Sequence, residues 1–280
     1  MKKRLFVVDG HALCYRAYFA FIKNPLVNSS GQNTSAIFGF ARMLIRLIDE
    51  QKPDYLIVAF DPPRKSFRFS LYPEYKANRE KMPEDLRSQI EEIKLMVETL
   101  GIRRIEEADY EADDVLGSIA RSHASKDLEV VLVTGDKDAY QLVDDNTSIY
   151  ANRKGITEFE TYDAAAVREK LGIGPAQVID YMALVGDASD NIPGVRGVGE
   201  KTALKLIQEH GSLDGVYSNL DRIKGKLRET LESNRDMAYL SRDLVTIRTD
   251  LPVALNIDET RTPDVHSEAA RAFFRSHEME

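Results

Sequence analysis

Apolar residues follow two different patterns in the first half of the chain. Continuous apolar runs at 4–8, 55–60 and 129–134 predict strands that are buried on both faces of a parallel sheet. Elsewhere apolar residues recur at helical spacing, which predicts helices. The predicted helices span 34–50, 83–100 and 110–122. Strand–helix–strand units of this kind favour a doubly wound α/β domain, with a mostly parallel sheet and flanking helices.

The pattern changes near residue 160. From there on, short helical segments separated by glycines replace the strands, with almost no strand pattern left. We therefore divide the chain into an α/β core at 1–160 and a helical region at 161–280. A third kind of segment, at 62–82, is polar, basic and aromatic, with little periodicity. A loop of this length between a strand and a helix is uncommon unless it has a function.

Composition limits the classes of protein to which the chain can belong. Its 280 residues are 43% hydrophobic and 30% charged, which is ordinary for a soluble globular protein, and no apolar run is long enough to span a membrane. A single cysteine, Cys14, excludes an internal disulfide and fits a reducing cytosol. The net charge of −8 argues against a nucleic-acid partner. Nine of the acids are candidates for one metal site, however, and without them the net charge changes sign.

Aspartates follow all three predicted strands. Asp9 and Asp61 follow the first two, and Asp136 and Asp138 follow the third. The carboxyl ends of parallel strands line the ligand crevice of an open sheet, so these side chains are expected to lie close together. Each aspartate alone could instead cap the next helix or form a turn. Together they predict a site in which a cation offsets the repulsion between like charges.

Two further acidic clusters strengthen that prediction. Glu111 and Asp114 are three residues apart at a helix start, with Asp113 between them, and Asp187 and Asp190 have the same spacing. Helix capping and an acidic turn are the alternative explanations. The five histidines show no ligand spacing, so oxygen ligands favour Mg²⁺ or Mn²⁺ over zinc. This number of carboxylates predicts two-metal phosphoryl chemistry, in which bound metal activates a water and stabilises the developing charge.

A glycine-rich segment at 193–202 needs a different explanation. It fails the P-loop spacing because Glu200 stands between the last glycine and Lys201, and no buried strand precedes it as in a dinucleotide site. A helix–hairpin–helix at 175–210 fits better, since closely spaced glycines let backbone N–H groups approach a phosphate. An ordinary helix connection is equally compatible with this segment alone. The candidate DNA-contacting residues are Gly194, Gly197, Gly199, Lys201 and Lys205.

Six motifs occur in the order of a known family. They are VVDGH, VAFD, YPEYKANR, YEADDVLGSIA, TGDKDAYQLV and GDASDNIPGVRGVGEKTALKL, and they extend from 5 to about 251. In these motifs the chain resembles the 5′-nuclease family, which includes flap endonucleases and the N-terminal 5′-3′ exonuclease domain of bacterial DNA polymerase I. The resemblance implies a PIN-like or Rossmann-like α/β fold, with a helical arch at 62–82 and a helix–hairpin–helix variant in the helical C-terminal region.

The resemblance also implies roles for individual residues. Lys76 matches the active-site lysine of the arch, next to a base-stacking Tyr75 and a phosphate-binding Arg79. A surface pair on a mobile loop is the alternative for Tyr75 and Arg79. Asp9, Asp61 and Asp113 are the implied catalytic acids beside Lys76. The implied metal ligands are Asp9, Asp61, Glu111, Asp113 and Asp114 around one Mg²⁺, with Asp136, Asp138, Asp187 and Asp190 around and beyond a second.

The function implied by this resemblance is that of a structure-specific 5′-3′ exonuclease or flap endonuclease in the bacterial cytosol. Such an enzyme hydrolyses DNA, and RNA primers, at a 5′ flap or nick during Okazaki-fragment processing and repair. The implied cofactor is Mg²⁺, with Mn²⁺ as a substitute and K⁺ at the hairpin by analogy, and a linked or separate DNA polymerase is the implied partner. A PIN-like ribonuclease and a non-catalytic junction-binding module are the alternatives. The arch and hairpin disfavour the first, and the complete set of acids with Lys76 disfavours the second.

Overall fold

The computed structural model describes residues 2–154 and 158–279, and a six-stranded sheet forms its centre. The strands are β1 (Lys3–Asp9), β2 (Tyr55–Ala59), β3 (Arg103–Ile105), β4 (Leu128–Val133), β5 (Thr147–Lys154) and β6 (Glu158–Tyr162). Their order is β3-β2-β1-β4-β5-β6, and among the described strands only β6 runs antiparallel to its neighbour. The predicted α/β class with a mostly parallel sheet is confirmed.

The strands that the sequence predicts are the central ones. β1, β2 and β4 match the three apolar runs to within one residue at each end, and most of their side chains are buried. The other three strands were not predicted. β3 and β6 are the edge strands, and β3 has three residues, two of them arginines. β5 and β6 both carry many polar residues.

Twelve helices surround the sheet in the described ranges. α2, α4 and α5 confirm the three helices predicted from apolar spacing in the first half, while α1 was not predicted. The helices are α1 (Gly10–Ala20), α2 (Ser35–Gln51), α3 (Arg68–Leu71), α4 (Glu84–Thr99), α5 (Ala112–His123), α6 (Ala164–Leu171), α7 (Val178–Val185), α8 (Glu200–His210), α9 (Leu213–Ser218), α10 (Lys226–Ser233), α11 (Arg235–Val245) and α12 (Glu268–Ser276).

Alternate residues of the central strands pack against helices on opposite faces of the sheet. Phe6 and Val8 of β1 face the core that contains α1, α2 and α4. Leu5 and Val7 face a second core, which contains α5. Each such apolar side chain contributes roughly 1.5–3 kcal/mol when it leaves water. Burial on both faces holds the carboxyl ends of the strands in fixed positions relative to one another.

The C-terminal half is helical in the described part of the chain, as predicted, and α7 to α11 enclose a core of their own. β6 still pairs with β5 and ends at Tyr162, so the sheet continues slightly past residue 160. The division of the chain at 160 stays a prediction. No helix within residues 2–154 and 158–279 is both long and apolar enough to cross a membrane.

The predicted arch segment at 62–82 forms α3 and a series of turns. Arg68 and Tyr75 within it are buried, and Tyr75 packs in a small cluster with Leu244 and Val245 of α11. The Asn191 side chain donates a hydrogen bond to the Glu74 carbonyl at 2.7 Å. These contacts fix the segment against the C-terminal half of the chain, beside the carboxyl edge of the sheet.

Candidate active site

A group of aspartates lies at the carboxyl edge of the sheet, where β1, β2 and β4 end. Asp9 is the last residue of β1, Asp61 follows β2, and Asp136 follows β4. Asp113, in the first turn of α5, completes the group. Together with Asp138 they line one cavity of about 450 Å³. The structure therefore brings the strand-end acids together, as expected for the crevice of an open parallel sheet.

The charges of these acids repel one another in a poorly hydrated space. Burial, and next the neighbouring Asp61 carboxylate, raise the pKa of Asp9 from 3.8 to about 7. Burial and nearby carboxylates also raise the pKa of Asp113 and Asp138 well above 3.8, and that of Asp136 to a smaller degree. The Oδ1 atom of Asp113 is buried and has no hydrogen-bond partner among the described residues. A divalent cation with oxygen ligands would satisfy that atom and offset the repulsion.

Hydrogen bonds from N–H groups in the first turns of α1 and α5 position two of these acids. The Oδ1 atom of Asp9 accepts the Ala12 N–H at 2.9 Å, and its Oδ2 atom accepts the Thr134 hydroxyl at 3.1 Å. The Oδ1 atom of Asp61 accepts the Ala112 N–H at 2.7 Å. Helix capping and cation binding are therefore compatible, because each carboxylate has further lone pairs. Within the described ranges, no three acids are arranged closely enough to hold a metal ion as they stand. The acids line the cavity instead.

His11 supports the backbone that carries Asp61. The Nδ1 atom of His11 accepts the Asp61 N–H at 3.0 Å, so the proton of the neutral ring is on Nε2. Burial lowers the pKa of His11, which keeps the ring neutral. The Phe60 ring packs edge-on against it, with centroids 5.7 Å apart. His11 also lines the cavity, so it is a polar group within reach of a bound substrate.

Lys76 is the cation that faces the aspartates across the cavity. Its Nζ atom lies 2.8 Å from Glu111 Oε2 and 3.7 Å from Asp190 Oδ2. The φ angle of Lys76 is 56°, a left-handed conformation that residues other than glycine rarely adopt. Its backbone N–H donates to the Asp190 carbonyl at 2.9 Å. Such strain persists only where surrounding contacts fix the backbone, and it is concentrated at functional sites.

Tyr75 and Arg79 occupy different environments on either side of Lys76. The Tyr75 ring is 2% exposed and packs edge-on against another ring, and its hydroxyl lies 3.1 Å from Glu111 and 3.0 Å from Asp190. The Tyr75 ring is therefore covered in this structure, and its stacking on a base stays a prediction that requires the ring to become exposed. Arg79 pairs with Asp190 while its side chain stays 49% exposed, so it remains accessible to a phosphate.

Asp114 has a structural environment that the resemblance did not imply. It is fully buried, and its two oxygens accept the Arg68 guanidinium at 2.7 and 2.8 Å. Those oxygens also accept the backbone N–H groups of Glu111 and Arg248. Four donors thus occupy the Asp114 carboxylate in this structure, and its assignment as a metal ligand stays a prediction. Sequence reasoning missed Arg68, since one arginine that becomes buried within a basic segment has no distinguishing pattern.

The two acids of the 187–190 cluster are placed differently. Asp190 lines the cavity, but it contacts Lys76 and Arg79 instead of the strand-end aspartates. Asp187 accepts hydrogen bonds from the Ser189 backbone and hydroxyl at 2.8 Å, and it does not line the cavity. Its charge is nevertheless close enough to contribute to the raised pKa of Asp138. Neither acid is a direct neighbour of the Asp9 group in this structure.

The glycine-rich segment connects α7 to α8, whose bounds agree with the two predicted helices of the hairpin. Gly194 is buried, and a Cβ atom there would lie 2.4 Å from a backbone nitrogen just after α7. Gly197 and Gly199 are exposed, and a Cβ atom at Gly199 would meet nothing within 4 Å. Gly194 is therefore required for packing, whereas the other two leave the backbone open. Lys201 and Lys205 are exposed on α8.

Two family models match consecutive parts of the chain. They are described as the N-terminal resolvase-like domain of 5′-3′ exonucleases, at 4–172, and the C-terminal SAM fold of 5′-3′ exonucleases, at 173–268. The chain is 41% identical over 276 residues to DNA polymerase I of Bacillus subtilis, which covers 98% of this chain and 31% of that protein. It is 46% identical over 264 residues to DNA polymerase I of Deinococcus radiodurans, covering 93% and 27%. The chain spans about three tenths of the length of these relatives.

Solved structures with the same fold include nucleases. The 5′-exonuclease of bacteriophage T5 with bound zinc has a TM-score of 0.70 at 24% identity, over 88% of this chain and 90% of that chain. The catalytic core of Rad2 in complex with a DNA substrate has a TM-score of 0.60 at 21% identity, over 98% and 87%. These likenesses confirm the fold, and the two family models confirm the resemblance found in the six motifs. The chain belongs to the 5′-3′ exonuclease family.

Proposed function

We propose that the chain hydrolyses phosphodiester bonds at the junction between duplex DNA and a single-stranded 5′ end, releasing 5′ mononucleotides or short flaps. The observation that carries this proposal is the cavity at the carboxyl edge of the sheet, where acids of raised pKa face Lys76. Membership of the 5′-3′ exonuclease family supports the reaction class. The cavity alone would support only a cation site.

The cofactor that we propose is Mg²⁺, with Mn²⁺ as a substitute. Asp9, Asp61 and Asp113 would hold one ion and Asp136 with Asp138 a second, since these acids line the cavity and, among the described residues, none of them pairs with a lysine or an arginine. Bound Mg²⁺ supplies a water of lowered pKa and stabilises the charge that develops on the phosphate. The T5 5′-exonuclease structure, which contains zinc, supports a divalent ion. The all-oxygen donor set favours Mg²⁺ over zinc here.

Lys76 and Arg79 are the residues that we assign to the substrate phosphates. A phosphate in the cavity competes with Glu111 for the Lys76 ammonium group, which lies 2.8 Å from that carboxylate. A charge-assisted hydrogen bond from Lys76 stabilises negative charge on the phosphate oxygens in the transition state. Arg79 is half exposed and contacts a neighbouring phosphate. Tyr75 acts on Lys76 indirectly, because its hydroxyl binds both acids that hold the lysine.

The hairpin between α7 and α8 is the duplex-binding element in this proposal. Gly197 and Gly199 leave backbone groups open next to the N-terminus of α8, where an anion is favoured. Lys201 and Lys205 extend the contact along the phosphate backbone without reading the base sequence. A K⁺ ion held by backbone oxygens of the hairpin is proposed by analogy with the family. The DNA complex of the Rad2 catalytic core supports this use of the fold.

The relatives indicate a role in replication and repair. Curated proteins that match along this chain include DNA polymerases I, and the chain corresponds to about three tenths of their length. We therefore propose removal of RNA primers and processing of nicks, beside a linked or separate polymerase in the bacterial cytosol. Such substrates present a 5′ end at a junction, which is the structure that the arch segment and the hairpin would bind from two sides.

Cleavage of a 5′-labelled flap duplex tests the proposal. We expect the wild type to release the flap near the junction with Mg²⁺ and to release nothing with EDTA. Asp113→Asn is expected to bind the junction without cutting it, and Lys76→Ala to cut about 100-fold more slowly. Lys81→Ala is the matched control, because Lys81 is exposed in the same segment and forms no ion pair among the described residues. It should cut at the wild-type rate.

Two outcomes would replace the proposal with one of its alternatives. If the wild type binds the junction but cuts nothing with Mg²⁺ or Mn²⁺, the protein is a non-catalytic junction-binding module. If it cuts single-stranded RNA while leaving the DNA flap intact, it is a ribonuclease on a PIN-like scaffold. Equal slowing of Lys76→Ala and Lys81→Ala would show that only general charge attraction is involved.

A further inference from the structure

A second cavity adjoins the acidic one, and metal binding does not explain its lining. It measures about 380 Å³ and lies between α1, the residues just after β4, and the β5–β6 pair. Ala12, Tyr15 and Asp136 line both cavities, so the two spaces meet. Binding sites for small organic groups have volumes of this order, with mostly apolar walls and a few polar groups. The second cavity therefore has the dimensions of a ligand site beside the metal site.

Aromatic rings line the second cavity from two sides. Tyr15 and Phe19 of α1 stack with their centroids 6.2 Å apart. Tyr150 of β5 and Phe159 of β6 stack at 4.8 Å, with planes inclined by 4°. Flat apolar surfaces of this kind accept the face of another planar group. The cavity is thus suited to a flat, aromatic ligand.

One amide provides the polar contact. Asn152 lies opposite Phe159 in the register of β5 and β6, and it lines the cavity. Both its Oδ1 and its Nδ2 atoms are buried without a hydrogen-bond partner among the described residues. A buried amide with no partner is rare, because each missing hydrogen bond costs stability. A ligand with a donor next to an acceptor on its edge would satisfy both atoms.

We infer that this cavity binds a nucleobase, with the base edge hydrogen-bonded to Asn152 and the base face against the aromatic rings. Nucleobases combine a flat face with neighbouring donors and acceptors, and adenine pairs with an asparagine amide through N6 and N7. Arg16, exposed at the border of the cavity, is placed for the phosphate of the same nucleotide. The base belongs to the nucleotide beside the cut or to a released mononucleotide. The inference rests on the proposed nuclease function, which supplies nucleotides to the adjoining site.

Substrates that lack one base test the inference. Flap duplexes with an abasic nucleotide at each position around the cut are cleaved by the wild type and by Asn152→Leu, in Mg²⁺, under single-turnover conditions. At one position we expect base removal to slow the wild type about tenfold and to slow Asn152→Leu less, because that variant keeps the contacts with the aromatic rings but has already lost the amide contacts. On that abasic substrate the two proteins should cut equally. Asn152→Asp, which keeps the size of the side chain but removes the amide donor, should behave like Asn152→Leu.

Inhibition by free nucleotides separates the two sources of the base. If the released mononucleotide occupies the cavity, dAMP should inhibit the wild type about tenfold more strongly than deoxyribose 5-phosphate, and this difference should be smaller in Asn152→Leu. The inference is overturned if neither assay distinguishes Asn152→Leu from the wild type, or if the substitution slows every substrate equally. In both cases, wild-type cleavage of the abasic substrates would leave the proposed nuclease function standing.

Discussion

Replacing Asp113 or Asp114 by asparagine makes the same chemical change at adjacent positions, yet the structure predicts opposite effects on the metal-free protein. Asp113 faces other acids, and its Oδ1 atom has no hydrogen-bond partner among the described residues. Asp114 is buried between two contacts to the Arg68 guanidinium and two backbone N–H groups. Asp113→Asn removes a charge that the neighbouring acids repel. Asp114→Asn removes a charge that pairs with the buried Arg68 guanidinium.

The magnitudes follow from these contacts. Removing one partner of a buried ion pair costs about 3–5 kcal/mol. We expect the lower end for Asp114→Asn, about 3 kcal/mol, because Arg68 retains hydrogen bonds to the Leu244 and Thr246 carbonyls. For Asp113→Asn, a gain in stability is expected, because the substitution removes a buried carboxyl group whose charge is disfavoured by burial and by the neighbouring carboxylates of Asp9 and Asp136. The new amide can also donate to the neighbouring carboxylates.

Thermal unfolding followed by circular dichroism in EDTA at pH 7.5 measures both effects. For a chain of this size, 1 kcal/mol corresponds to about 2–4 °C, so Tm should fall by about 6–12 °C in Asp114→Asn, whereas it should rise in Asp113→Asn. Flap cleavage in Mg²⁺ below Tm should show the reverse order, with Asp114→Asn active and Asp113→Asn inactive. A drop in Tm for both variants, or loss of activity in Asp114→Asn while it is fully folded, would refute this division between metal ligand and structural acid.

Four further predictions concern the acids of the site and the hairpin. The pKa of Asp9 is about 7 in the folded protein, against an ordinary value of 3.8. Its carboxyl group therefore contributes about 4 kcal/mol to the free energy of unfolding below pH 4, and this contribution is lost as the pH rises to about 7. Tm in EDTA should fall over that range, and a Tm independent of pH would contradict the repulsion between the acids. Added Mg²⁺ should raise Tm more at pH 8 than at pH 5, and an equal rise at both would exclude this site as the one that binds. Gly194→Ala should lower the free energy of unfolding by several kcal/mol. Gly199→Ala should unfold at the wild-type Tm and bind duplex DNA more weakly. Equal Tm values for the two variants would contradict the packing argument. Lys201→Ala should lower the slope of log affinity against log salt by about 1 in a duplex-binding titration, while an unchanged slope would remove Lys201 from the interface.

The central part of the fold was predictable because burial leaves a pattern. A strand covered by helices on both faces must be apolar along its whole length, and β1, β2 and β4 are. The edge strand β6 and its neighbour β5 have mixed side chains, so neither an apolar run nor a clean alternation marked them. The missed strands matter for function, because Asn152 and Phe159 line the second cavity from β5 and β6.

The candidate site was predictable as a group of residues and not as a set of individual roles. Strand topology alone places Asp9, Asp61 and Asp136 at one edge of the sheet. Nothing in the order of residues distinguishes Asp113 from Asp114, because Arg68, the partner of Asp114, is 46 residues away along the chain. The buried position of Tyr75 likewise depends on contacts with α11 that no local pattern records.

The acids of the site fall into two electrostatic classes, and the distinction explains how one cavity serves both a cation and a phosphate. Asp9, Asp113 and Asp138 have no basic partner in the described residues, so their charge needs a cation from solution.

Glu111, Asp114 and Asp190 are instead bound to the chain's own cations. Although burial opposes it, Lys76 and Arg68 lower the pKa of Glu111, which therefore stays charged across the neutral range. These paired acids hold Lys76 and Arg79 at the rim before any substrate arrives. The conformational entropy of these two long cationic side chains is thus lost during folding and not on substrate binding. A phosphate then has only to displace a carboxylate from the cation. On this argument Glu111→Gln should weaken the hold on Lys76 and slow cleavage while leaving Mg²⁺ binding intact, and a loss of Mg²⁺ affinity in that variant would move Glu111 to the metal-binding class.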